Sequence, residues 1–228
     1  MLHNEHFKGT VGYLGGVPST MEPFTFSYGN LIAYNERHIG KIHYTRSSIS
    51  FHATARNELV QSMRGEWLLQ LDTDIYFEPD LLHRMLRDME NYNMDVLTGL
   101  YVSKKSPHRP VLFMNVPNGE GYVHVVHWEE NEPFMVDAAG AGCLLVKRKV
   151  FDRIIGELGQ DPFDVAHPYS EDTSFFRRCK TLGIGVWCDP RIQVYHLGIT
   201  PFSSSDIEYD KMEVIPQPFT VKAAEANT

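Results

Sequence analysis

The sequence predicts an α/β protein whose doubly wound, largely parallel central sheet carries a smaller β-rich portion. Three observations lead there. Short apolar runs such as Trp67-Leu68-Leu69-Gln70-Leu71 have the pattern of strands covered on both faces. Segments with apolar residues at helical spacing alternate with such runs as far as Tyr101. Beyond Pro110 that alternation gives way to a succession of strand-like pieces before helices return.

Taken in order, Thr10 to Leu14 reads as a first strand, ended by the turn-forming loop Gly15-Gly16-Val17-Pro18-Ser19-Thr20. A helix from about Phe24 to Arg37, a strand from Lys41 to Ser48 and a helix from Ala53 to Met63 follow. The run Trp67 to Leu71 stops at Asp72. Glu78-Pro79-Asp80 then opens a helix to about Asn91, with proline near its first turn and Leu81, Leu82, Met85 and Leu86 on one stripe. Met94 to Tyr101 is the next strand. Val111 to Met114, Tyr122 to Trp128, Phe134 to Val136 and Cys143 to Val146 form the β-rich portion. Helices are expected at Arg148 to Leu158 and at Glu171 to Leu182, with Gly183 as a C-cap, and strands at Val186 to Cys188 and Ile192 to His196. Residues 1–198 read as a single domain, and residues 199–228 as a tail that acts as a lid or wraps the domain.

The chain has 228 residues, 43% hydrophobic and 22% charged, enough to bury a substantial core and unlike a disordered chain. A formal charge of -8 excludes a generally basic nucleic-acid-binding surface and leaves Lys104, Lys105, His108 and Arg109 as the local cluster that could meet a phosphate backbone; a surface loop accounts for it equally well. The start, Met1 to His6, has neither the basic nor the apolar region of a signal peptide, and no stretch approaches the roughly 18 apolar residues of a membrane span. A cytoplasmic location is therefore expected. Cys143, Cys179 and Cys188 lack metal-site spacing and are expected to pack as small hydrophobes.

Four groups of residues carry candidate chemistry. Asp72-Thr73-Asp74 ends a covered strand, where two carboxylates one residue apart can offer hard oxygen ligands to Mg²⁺ or Mn²⁺; a polar loop is the plainer reading. Ser170-Glu171-Asp172 opens an amphipathic helix, where a hydroxyl cap and two acids also serve the helix dipole alone. His196 ends an alternating strand, either as a satisfied buried histidine or as the imidazole that completes a metal site begun by carboxylates. Asp137-Ala138-Ala139-Gly140-Ala141-Gly142 is a small-residue turn that lets a ligand approach the backbone, or simply a tight β-turn.

In chain order, Ala55-Arg56-Asn57-Glu58-Leu59-Val60, then Trp67 to Asp74 with Phe77-Glu78-Pro79-Asp80-Leu81-Leu82, Gly99-Leu100-Tyr101, Val136 to Val146 with Arg148-Lys149-Val150-Phe151, and Ser170-Glu171-Asp172 resemble glycosyltransferase family 2 and its GT-A fold. Compact bacterial and phage members are included, and the likeness runs from about Thr10 to His196. Two departures stand out: Ser170 takes the place of a threonine common in some members, and the first loop is unusually rich in glycine.

The resemblance implies a metal-dependent transferase moving a sugar from a nucleotide-diphosphate donor to an acceptor hydroxyl with inversion. It places Pro18, Arg56, Asp72, Thr73 and Asp74 on the donor, with Asp74, His196 and Asp72 toward a bound Mn²⁺ or Mg²⁺. Asp172 becomes the base, with Glu171 beside it in a structural or acceptor-binding role, and Gly140, Ala141 and Gly142 face the acceptor. Arg56 and Lys104 or Lys105 supply positive charge near the phosphates. The acceptor is left open among a glycan precursor, a protein, a small molecule and a hydroxymethylated base in phage DNA, the last requiring the base to leave its stack. Two other classes compete. A nucleotidyltransferase on a similar sheet requires an activating phosphate-binding loop that the sequence lacks. A noncatalytic carbohydrate-binding module has little use for the combined acids and histidine.

Overall fold

The structure, a computed structural model, describes residues 6–16, 21–116, 121–165, 167, 169–198 and 204, together with the backbone of 214–216. Pro18 and nearly all of the tail lie outside the described residues. The chain opens with β1 (Gly9–Tyr13), α1 (Glu22–His38), β2 (Ile42–Arg46), α2 (His52–Ser62), β3 (Trp67–Leu71), β4 (Ile75–Tyr76), α3 (Leu81–Asn91) and β5 (Val96–Leu100). It continues through β6 (Leu112–Asn115), β7 (Gly121–His124), β8 (Phe134–Val136), β9 (Ala138–Ala139), β10 (Cys143–Lys147), α4 (Arg148–Leu158), α5 (Glu171–Thr181), β11 (Val186–Gln193), β12 (Tyr195–His196) and β13 (Val214–Pro216).

Seven strands form the central sheet in the order β2-β1-β3-β10-β5-β11-β8. β2, β1, β3, β5 and β11 run one way, and β10 and β8 run against them. The sheet is buried on both faces because its central strands carry apolar side chains on both. Every residue of β3 and β5 is buried. Alternation along β3 sends Trp67, Leu69 and Leu71 into a core shared with Phe24 and Leu31 of α1 and Met85 of α3. Leu68 enters the opposite core with Leu59 of α2, Phe151 of α4 and Phe175 of α5. Helices on both faces make this a doubly wound sheet, as the alternating sequence pattern requires.

The β-rich portion differs from its expected layout in two respects. Cys143 to Val146 does not belong to it. Those residues form β10, which inserts between β3 and β5 with Cys143 opposite Leu71 and Leu144 opposite Thr98. The physical reason is burial: Cys143, Leu144, Leu145 and Val146 are all 0% exposed, and a strand apolar on both faces finds cover on both only inside the sheet. Phe134 to Val136 likewise joins the central sheet, at its edge beside β11. The remaining small sheet has the order β13-β7-β6-β9.

The stretch Ile192 to His196 is also not one strand. The register of β11 against β5 shifts between Asp189 and Gln193, and the chain then leaves the central sheet to pair β12 with β4, His196 opposite Ile75. The three cysteines are buried and free, as expected of small hydrophobes. Among the described residues no helix is long and apolar enough to cross a membrane.

Candidate active site

The candidate residues converge at the carboxyl ends of β1 and β3, the end of an open α/β sheet where loops rather than neighbouring strands surround the chain. A cleft of about 270 Å³ opens there, with Asp72, Thr73 and Asp74 on its floor and Leu14, Met21, Ile49 and His52 among its walls. The insertion of β10 brings the small-residue turn to the same place: the Asp72 N–H donates to the Gly142 carbonyl at 2.8 Å. α5 adds the second acidic pair. Its N-cap is Ser170, whose Oγ accepts from the Thr173 N–H at 3.3 Å, so the helix starts with Glu171 and Asp172 in its first turn.

Arg56 joins these parts. Its side chain is buried, and its hydrogen bonds go to the chain's own groups: Nη2 donates to Asp72 Oδ1 at 3.1 Å and Nη1 to the Ala141 carbonyl at 3.0 Å. Nε lies 3.2 Å from Asp172 Oδ1 and 3.9 Å from Glu171 Oε1, and the guanidinium sits 6.0 Å from the centre of the Phe163 ring. Burial opposes the charge on Arg56, but Asp72, Asp172 and Glu171 together hold it firmly protonated. Arg56, expected on the donor, makes its contacts here with Asp72, Asp172, Glu171 and the Ala141 carbonyl.

The Ala141 N–H donates to Asp172 Oδ2 at 3.1 Å, and Oδ1 faces Arg56 Nε as an ion pair without a hydrogen bond. Burial nevertheless pushes its carboxyl up to about 6, with Glu171 and Asp72 adding to the rise and Arg56 and the Ala141 N–H offsetting part of it. Its side chain keeps 22% exposure, while Oδ1 itself is buried.

Asp74 has the opposite surroundings. His196 Nε2 lies 3.6 Å and Lys104 Nζ 2.5 Å from its Oδ2. Burial raises the carboxyl, but the hydrogen bonds and charges of His196 and Lys104 outweigh it and hold Asp74 well below the usual carboxylate range. The pairing of β12 with β4 delivers His196, and the Leu197 N–H donates to the Asp74 carbonyl at 2.6 Å. His196 Nδ1 is 2.8 Å from the Val102 carbonyl. A carbonyl only accepts, so Nδ1 donates to it, and this leaves Nε2 as the ring nitrogen that faces Asp74 Oδ2. Among the described residues no group of three or more His, Cys, Asp or Glu side chains is placed to hold a metal; Asp74 and His196 are a pair.

The glycine turn is explained largely by Tyr101. A Cβ on Gly140 would meet the Tyr101 hydroxyl at 2.1 Å, and one on Gly142 would meet it at 3.0 Å and Asp72 Oδ2 at 3.1 Å. The Gly142 N–H donates to that hydroxyl at 3.0 Å, and the ring meets His196 edge-on at 5.5 Å between centroids. Tyr101 thus lies between the glycine turn and His196, a part its place in Gly99-Leu100-Tyr101 did not reveal. Gln70, 3.5 Å from Arg56 Nη1, was signalled more openly, as the one polar residue in a strand covered on both faces. Of the basic cluster, Lys104 and Lys105 are exposed, whereas Arg109 is buried.

The sequence profile described as Glycosyl transferase family 2 matches residues 30–154. No curated protein matches the sequence. Among solved structures, the fold is similar to that of A197 from STIV, with a TM-score of 0.56 and 19% identity over 90% of this chain and 93% of that one. It is also similar to GalNAc-T7 with UDP, GalNAc and Mn²⁺, with a TM-score of 0.56 and 11% identity over 83% of this chain. The match spans 43% of the GalNAc-T7 chain.

Proposed function

Because the chain belongs to glycosyl transferase family 2 and is a nucleotide-sugar-dependent transferase with a GT-A-type fold, we propose that its cleft divides the reaction between two aspartates. Asp74 and His196 would hold a divalent cation beside the donor diphosphate, and Asp172 removes the acceptor proton. The observation that carries this reading is the opposite setting of the two acids: Asp74 is kept ionised beside His196 and Lys104, while Asp172 is pushed up to about 6.

The side chains suit the cation. One carboxylate and one imidazole nitrogen facing the same point are donors of the kind Mn²⁺ accepts, and Asp74 and His196 would hold it from the protein side. The Lys104 ammonium on Asp74 Oδ2 marks the same place as one that accepts positive charge. The GalNAc-T7 structure with UDP and Mn²⁺ supports Mn²⁺ or Mg²⁺ and a nucleotide donor. When bound, the cation supplies charge against which a diphosphate departs.

The chain's own residues supply the rest. Asp172 accepts the proton from the acceptor hydroxyl as the acceptor oxygen bonds to the anomeric carbon, the bond from that carbon to the diphosphate breaks, and configuration inverts. A base with a pKa near 6 is ionised at neutral pH and still basic enough to be useful. Arg56 orients Asp72 and Asp172, Asp72 and Thr73 border the donor, and Glu171 raises the basicity of Asp172. The acceptor we favour is a glycan or small-molecule hydroxyl. A nucleic-acid backbone would find a chain of formal charge -8, Arg109 buried and Lys104 engaged with Asp74.

The test is a panel of nucleotide sugars with Mn²⁺, Mg²⁺ or EDTA, followed by product analysis. Release of the nucleoside diphosphate, lost in EDTA and restored by the cation, is expected. Release of pyrophosphate would replace this reading with nucleotidyl transfer, and turnover undiminished in EDTA would remove the cation from it.

A further inference from the structure

Lys104 sits in the loop that joins β5 to β6. The loop is pinned at its base: Val102 bridges Pro110, the Ser103 N–H donates to the Arg109 carbonyl at 2.8 Å, and the Val111 N–H donates to the Tyr101 carbonyl at 3.0 Å. Val102, at one foot, also holds His196 through its carbonyl. The loop therefore projects its ammonium from a fixed stem onto Asp74 Oδ2, the same oxygen that His196 Nε2 faces. Lys104 and Asp74 keep 37% and 33% exposure, so the pair is accessible and can be separated.

We propose that Lys104 is a latch on the donor site, closed on Asp74 in the free protein and released when a nucleoside diphosphate arrives to take its charge. The inference rests on the reading of Asp74 as a cation ligand and assigns Lys104 a duty that reading lacks. A cation that approaches Asp74 alone must displace an ammonium already bound there. A diphosphate gives the displaced ammonium a new anionic partner and offers its own oxygens to the cation. Cation and nucleotide thereby bind cooperatively, each raising the affinity for the other by the same factor. The latch would limit cation uptake without donor and so couple loading of the site to substrate.

The experiment measures Mn²⁺ binding by calorimetry, with and without the nucleoside diphosphate, chosen from UDP, GDP, CDP and TDP, that most raises the wild-type melting temperature. The proteins are wild type, Lys104→Met, Lys104→Arg and Asp74→Asn. In Lys104→Met, Mn²⁺ alone is expected to bind about tenfold tighter, because a unit positive charge a few ångströms away is gone. The nucleotide alone should bind more weakly, and the cooperativity between the two should fall. Lys104→Arg should restore the wild-type pattern. A lysine that merely supports the loop would leave both affinities unchanged or weaken both, and either result overturns the latch. If wild type binds no Mn²⁺ even with the nucleotide, the cation reading itself falls and the latch with it. If wild type binds Mn²⁺, Asp74→Asn does not, and Lys104→Met is no tighter, only the latch falls.

Discussion

Asp74 lines the cleft and Asp172 sits in the first turn of α5 against Arg56; they are the same amino acid, and their surroundings drive them in opposite directions. Asp74 is flanked by Lys104 and His196 and stays ionised despite partial burial. Asp172 shares one guanidinium with Asp72 and Glu171, so Arg56 cannot offset its burial fully, and its carboxyl rises to about 6. The contrast shows how one fold separates a cation-holding acid from a proton-accepting one: by the number of positive partners, not by residue type.

The sharpest way to break the comparison is Asp172→Asn, which keeps shape and removes the base. Transfer should fall about a thousandfold, within the usual range for a lost general base, while nucleotide affinity in Mn²⁺ changes little. A loss below tenfold would move the base elsewhere.

Arg56→Met tests the other side of the contrast, since it leaves Asp72, Asp172 and Glu171 facing one another without their common cation. Breaking a buried pair by removing one partner costs about 3–5 kcal/mol, read as a lower denaturation midpoint. Arg56→Lys should recover part of it, because the charge returns without the planar fork that reaches several acceptors at once. An unchanged midpoint in Arg56→Met would deny Arg56 its organising role.

The smallest effect is the most specific. The reactive form of Asp172 is the carboxylate, so kcat should decline about tenfold for each pH unit below 6 and level off above it. Asp74, held well below the usual range, remains ionised throughout that window and contributes nothing to the limb. Glu171→Gln removes one of the negative charges that raise Asp172, and the midpoint should move to lower pH. A midpoint that stays in place would show that Glu171 has no part in raising the carboxyl.

Much of the frame was legible because burial and periodicity are local. The helix expected from Arg148 to Leu158 has those bounds, and the run Trp67 to Leu71 is a strand covered on both faces, as its composition requires. The capping hydroxyl of Ser170 and the acids behind it were equally visible. The insertion of β10 was not, although its apolar run was. Composition shows that Cys143 to Val146 must be covered, not which strands cover it.

By itself, then, the sequence determined which segments are strands or helices, which faces are buried, and which residues carry carboxylate and imidazole chemistry, since each depends on neighbours a few positions away. Tertiary structure alone decided the partners. It set Arg56 against Ala141, 85 positions later, and against Asp172, and it set Lys104 and His196 on Asp74. The behaviour of a carboxylate depends on charges within a few ångströms. Those charges come from loops and strands far apart in the chain, and only the folded sheet, with β10 threaded through its middle, brings them together.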